Sequence, residues 1–146
     1  MREVAAFRAA MLHALRSQLC DRPVLASAPA LLDYLQADMV HSINERARVL
    51  HLNAGNILIR DEIMAEGSID EVALYAREII GRALEIGSAA IILVHNHPSG
   101  DPTPSRSDID LTKRIARAGQ PLGIAVHDHL IIASGGHRSM RTLGLL

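Results

Sequence analysis

Hydrophobic and polar positions change their spacing several times along the chain, and each change marks an element. Residues 3–19 set Val4, Phe7, Met11, Leu12, Leu15 and Leu19 at helical intervals, with Arg8 and Arg16 off that stripe, which predicts an amphipathic helix. Asp21-Arg22-Pro23 breaks it, and Ser27 with Pro29 opens a second helix through Leu31, Leu32 and Leu35 to about Met39. The period then drops to two. Residues 46–52 read as a strand, Asn53-Ala54-Gly55-Asn56 as a tight turn, and residues 57 to about 65 as the returning strand of a hairpin. Ser68 and Glu71 make a capping-box pair for a helix to about Glu85, with Ile69, Val72, Ala76, Ile79, Ile80 and Ala83 as its buried stripe and Gly87 as its stop. Residues 89–94 are apolar without interruption, which suits a central strand covered on both faces. A proline-rich loop leads into a helix from about Ser105 to Ala118, closed by Gly119. Strands near 123–126 and 129–133 and a Ser134-Gly135-Gly136 turn follow. Helices interspersed with these strands predict an α/β (α+β) fold, a mixed β-sheet sandwiched by helices.

Composition narrows the functional classes. A chain of 146 residues suits one domain, and 49% hydrophobic against 21% charged residues gives it a real core. Phe7, Tyr34 and Tyr75 are its only aromatic residues, so the core is aliphatic and base stacking on aromatic platforms is disfavoured. Fifteen Lys and Arg against 16 Asp and Glu leave a net charge of -1, with no global field to attract a polyanion or an anionic membrane. The sole cysteine, Cys20, excludes an internal disulfide and a multi-cysteine zinc site. No stretch approaches the ~20 apolar residues of a membrane span. Arg2, Glu3, Arg8 and Arg16 interrupt any leader-like run, so the expected compartment is cytoplasmic. Residues 1–26 are expected to be a helical extension on a domain spanning 27–146.

The chemistry concentrates in His95-Asn96-His97-Pro98-Ser99-Gly100-Asp101-Pro102-Thr103-Pro104-Ser105-Arg106-Ser107-Asp108. Side chains two apart on an extended segment point the same way, so His95 and His97 can converge on one ion from the end of a strand. Asp108, in the first turn of the next helix, can complete a two-histidine, one-aspartate set with an open fourth position. Zinc suits such mixed nitrogen and oxygen ligands best. A purely structural alternative exists for part of the set, because Ser105 as N-cap and Asp108 three residues on form a capping box by themselves.

The string His95-x-His97-Pro98, Ser105, Asp108 resembles the JAMM metalloprotease motif of MPN-type domains. The run from His95 through Ser105 more closely resembles the bacterial RadC family, over roughly residues 27–146. That resemblance implies a JAB/MPN domain, similar to cytidine deaminases, with zinc held by His95, His97 and Asp108, Ser105 beside the attacking water, and a glutamate from an upstream strand. Among Glu45, Glu62 and Glu66, Glu45 matches the family's position at the start of the first hairpin strand and is taken as the catalytic carboxylate. The implied activity is hydrolysis of a peptide or isopeptide bond in a peptide or protein substrate. The alternative the family suggests is a DNA-repair-associated accessory role without protease activity.

Two departures qualify the likeness. The 26 leading residues are shorter than the helix-hairpin-helix segment usual in the family, which weakens any DNA association. Ala47, His51 and Asn53 stand where the family tends to have aromatic, apolar and acidic residues. His127-Asp128-His129 repeats the His-x-His spacing without a third ligand; Asp128 or His129 is expected to orient a metal-bound imidazole rather than found a second site. Arg106, Lys113, Arg114 and Arg117 make a basic run on the helix after the loop, read as a solvated face. His13, His41, His51 and His137 read as surface or core side chains, and Asp101 as a turn residue.

Overall fold

The computed structural model describes residues 1–67 and 76–146. In chain order the elements are α1 (Arg2–Ser17), α2 (Ala28–Met39), β1 (Glu45–Leu52), β2 (Leu58–Gly67), α3 (Ala76–Ile86), β3 (Ala90–Asn96), α4 (Arg106–Gly119), β4 (Ala125–Ala133) and β5 (Gly136–Ser139). The strands form one sheet in the order β2-β1-β3-β4-β5, with β3 parallel to β4 and every other pair antiparallel. The apolar β3 lies in the middle and is buried along its whole length, as a strand with no polar face must be.

Alternation along the strands divides the core in two. Leu50, Leu52, Ile92, Val94, Leu130 and Ile132 face Leu31, Leu35 and Met39 of α2, together with Leu19 and Val24. Val49, Ile91 and Leu93 point the other way, onto Ile79, Ile80 and Ala83 of α3 and Ile115 of α4. The result is the helix–sheet–helix sandwich expected from the sequence. On the α2 side β1 also buries Arg48, 5% exposed, which pairs with Asp38 of α2 and with Asp61 of β2 at 3.2 Å. Tyr34 donates to Asp61 at 2.6 Å, so this charged knot ties α2 to the hairpin. Burial, and then the neighbouring Asp61, push the Tyr34 phenol up to about 12.

Several elements differ from their predicted form. The strands expected near 123–126 and 129–133 are one strand, β4, which begins at Ala125. Ile91 pairs with Val126 and Ile92 with Asp128, so His127 is the extra residue of a bulge, and that bulge breaks the alternation. Gly119 does not close α4 through a left-handed turn. Its φ is -75°, and a Cβ there would come within 2.5 Å of the Ile124 carbonyl; the left-handed residue is Gly123, with φ of 72°. β5 follows the Ser134-Gly135 turn as a short edge strand that its polar sequence did not announce. On α1 only Leu12 and Leu15 pack partly against the core, and Phe7 remains 73% exposed. The Ser68–Glu71 capping box, with Ile69 and Val72, lies outside the described residues.

Candidate metal centre

The C-terminal end of β3 delivers the chain to the α3/α4 side of the sheet. His95 pairs with Ala47 of β1 and Ile131 of β4, and its side chain points with Leu93 and Ile91. Just beyond the strand, the His97 N–H donates to the Ile132 carbonyl at 2.8 Å, which extends the parallel ladder by one step. The loop then turns back, because Gly100 adopts φ of 90° and its carbonyl accepts from Gly135 N–H at 3.0 Å. A Cβ on Gly135 would approach that carbonyl to 2.6 Å, so both glycines are needed where the two loops cross. Asp101 stabilises the turn by accepting from the Thr103 N–H at 2.9 Å and its hydroxyl at 2.7 Å. This loop carries α4 round so that its first turn faces the histidines.

His95, His97 and Asp108 come together there, with one ligand atom from each lying within 4.8 Å of the others. His95 Nε2 is 3.4 Å from Asp108 Oδ1, and His97 Nε2 is 3.4 Å from Asp108 Oδ2. The two Nε2 atoms are 2.8 Å apart. Burial works to raise the Asp108 carboxyl, but hydrogen bonds with His95, His97 and Ser105 hold it well below the usual carboxylate range. The same Asp108 contact raises His97.

The hydrogen-bond chain behind the site assigns the tautomers. Thr112 donates its hydroxyl hydrogen to the Asp108 carbonyl at 2.6 Å, so His129 Nδ1–H, 2.5 Å away, donates to Thr112 Oγ1. Burial lowers the His129 pKa well below its ordinary value, so the ring is neutral and Nε2 carries a lone pair. That lone pair accepts from His95 Nδ1–H at 2.7 Å, which turns His95 Nε2 towards Asp108 and His97. His97 Nδ1–H donates to the Asp101 carbonyl at 2.8 Å, which frees its own Nε2. The two Nε2 atoms therefore converge beside a carboxylate, with room for a positive charge, a proton or a metal ion, between them. In a tetrahedral zinc site, bonds of about 2.0–2.1 Å put ligand atoms roughly 3.3–3.4 Å apart. Each histidine Nε2 lies at about that spacing from one Asp108 oxygen, His95 from Oδ1 and His97 from Oδ2, and the histidine pair is about half an ångström closer. The residues present thus fit a divalent cation bound by nitrogen and oxygen, and they could hold one.

The other residues singled out in the sequence fall into distinct places. Glu45, the first residue of β1, lines a recess together with His95, Asp108, His129, Ala47 and Leu111. Burial raises its pKa against the opposing charges of His95 and His97. Glu62 instead pairs with Arg82 of α3 at 2.6 Å, and Glu66 with Arg46 at 3.2 Å. Ser105 caps α4: its Oγ accepts from Asp108 N–H at 3.1 Å, and Asp108 Oδ2 accepts from Ser105 N–H at 2.7 Å. The capping box and the histidine contacts thus coexist on one carboxylate. Of the second His-x-His segment, His129 reaches the site. Asp128 spends its oxygens on His129 N–H, Ser139 Oγ and Arg141 N–H, and His127 contacts Asn56 at the hairpin turn. The helper role of Thr112 had a sequence signal, its place one helical turn after Asp108, but needed the fold to bring β4 against it. Arg106, Lys113, Arg114 and Arg117 are exposed on α4.

Comparison with known proteins agrees with this architecture. The family model described as a RadC-like JAB domain matches residues 25–145. A UPF0758 protein of Rhodobacter capsulatus is 49% identical over 146 residues, the whole of this chain and 68% of that relative. With a helix-covered mixed sheet, a His-x-His segment at the end of its central strand and an aspartate in the following capping box, the chain belongs to the RadC family of JAB-domain proteins.

Proposed function

We propose that this protein is a zinc-dependent hydrolase of peptide or isopeptide bonds, with His95, His97 and Asp108 as metal ligands and Glu45 as the general base. The observation that carries the reading is the convergence of the His95 and His97 Nε2 atoms on the Asp108 carboxylate, in a recess also lined by Glu45. Three protein ligands leave a fourth position open, the pattern of catalytic rather than structural zinc sites. Bound there, zinc would supply Lewis acidity and bring the pKa of a water from 15.7 to about 7.

The protein's own groups supply the rest. The Glu45 carboxylate takes up the proton of the attacking water and returns it to the leaving nitrogen. Burial raises its pKa, which moves it towards a value suited to both steps. Ser105 uses an oxygen lone pair for the cap, so its hydroxyl hydrogen is free to meet the negative charge that develops on the attacked carbonyl oxygen. Ser107 Oγ, 2.9 Å away, is the resting partner of that hydroxyl. His129 and Thr112 hold the His95 ring with Nε2 forward.

Metal analysis joined to a peptide-library cleavage assay tests the proposal. The expected result is about one zinc per chain and cleavage that a chelator removes and added zinc restores. Stoichiometric zinc with no cleavage of any library member would reject the hydrolase reading.

A further inference from the structure

We propose that Asn96, the residue between the two histidines, is a positioning residue that fixes Glu45 relative to the metal centre through the backbone on either side of it. The proposal rests on the reading of Glu45 as general base. The β1–β3 ladder ends at the Ala47–His95 pair, and beyond it β3 follows β4 instead, with Asn96 opposite Ile132. The first residues of β1, Glu45 and Arg46, would thus lack partners on that side, where Glu45 must be held still. The Asn96 side chain replaces the missing strand. Its Oδ1 accepts from Arg46 N–H at 2.7 Å, and its Nδ2 donates to the Asn44 carbonyl at 3.0 Å. These two bonds bracket Glu45 in sequence, and Gly67 of β2 pairs with Glu45 from the other side.

The amide suits this task where other side chains do not. One partner is a donor and the other an acceptor, so only a group offering both, about one peptide unit apart, satisfies the two. Flipping the amide would set donor against donor and acceptor against acceptor. Asn96 is 1% exposed, so neither bond can be replaced by bulk water. Because Asn96 sits between His95 and His97, the segment that aims the two imidazoles also sets the distance to the base. A shift of about 1 Å in a catalytic group can cost roughly 10²-fold in rate.

The test compares the full-length zinc-loaded protein with Asn96→Ala, Glu45→Gln and the double variant. Asn96→Ala should keep its zinc and its KM while kcat falls by about 10²-fold, and it should cause no further loss in the Glu45→Gln background. A loss of the same size in both backgrounds, or an unchanged kcat, would overturn the proposal. A second readout needs no turnover: crystal structures of zinc-free wild type and Asn96→Ala. The variant should show the Glu45 carboxylate swung outward while His95 and His97 keep their places. An unmoved Glu45 would also overturn the proposal. If wild type hydrolyses nothing, the hydrolase reading fails and this comparison alone decides the positioning. Should Asn96→Ala not fold, Asn96→Ser, whose one hydroxyl is too short to bridge both backbone groups, takes its place; it should change both readouts in the same direction by less, and no change in either would overturn the proposal.

Discussion

Replacing His129 with phenylalanine should weaken zinc binding without touching a ligand. The ring fills similar space, but His95 Nδ1–H loses the acceptor it meets at 2.7 Å inside a fully buried contact. Thr112 keeps its bond to the Asp108 carbonyl, so the orphaned group is the His95 donor. An unsatisfied buried donor costs about 1–3 kcal/mol. At 1.36 kcal/mol per tenfold, that is roughly 5- to 150-fold in affinity, which overlaps the ~10–100-fold typical of lost partners behind metal ligands. The consequence for stability follows by linkage. At zinc a hundredfold above Kd the wild type gains about 2.7 kcal/mol, whereas a variant with a hundredfold weaker Kd gains only about 0.4 kcal/mol. Competition with a chromophoric chelator measures the first quantity, and melting with and without zinc measures the second. His129→Gln, which can both accept and donate, should lose less than His129→Phe. A phenylalanine variant that binds zinc as tightly as wild type would refute the assigned tautomers and the chain that fixes them.

His97→Ala and Asp108→Ala should each lose most of the bound metal by elemental analysis; Asp108→Ala should also cost about 1 kcal/mol of stability in urea titration because it removes half of the α4 capping box. His51 is wholly buried against Ser88 at 2.8 Å, and burial lowers its pKa. The unfolded chain therefore binds the proton more readily, and stability present above about pH 6.5 is lost as pH falls below it. His51→Gln should flatten that part of the urea midpoint-against-pH curve, and an unchanged slope would show that His51 does not carry it. Duplex DNA binding should be weak and vanish with added salt in a fluorescence anisotropy titration, since a net charge of -1 and one short basic helix face offer few phosphate contacts.

What the sequence made legible follows from how local each feature is. The His-x-His spacing could be read because strand alternation and the apolar run before it are local properties, and the following capping box is a local pattern too. Asp108 shows where such reading stops being unique, since the cap alone explains the residue and only the fold brings the histidines to it. β4 looked like two pieces because the His127 bulge shifts the alternation, and a parallel bulge is decided by the neighbouring strand. β5 has no apolar face of its own, being polar at His137, Arg138 and Ser139, so its strand form comes from pairing with β4. The work of His129, Thr112 and Asn96 was hidden for the same reason. Each acts through a partner 17 to 52 residues away, and no spacing rule encodes that distance. The apolar stripe of α1 was visible, but its burial is a tertiary property, and Phe7 stays outside.

The most direct test of the proposed chemistry is the hydrolysis rate of zinc-loaded Glu45→Gln beside zinc-loaded Glu66→Gln. The amide keeps the size of the carboxylate and leaves all three ligands in place, so zinc content should not change. Loss of a positioned general base should lower the rate by ~10²–10⁴-fold in Glu45→Gln, while Glu66→Gln, which only breaks a partly exposed pair with Arg46, should stay close to wild type. Full activity in Glu45→Gln would contradict the general-base role, and loss confined to Glu66→Gln would move that role to the other strand of the hairpin.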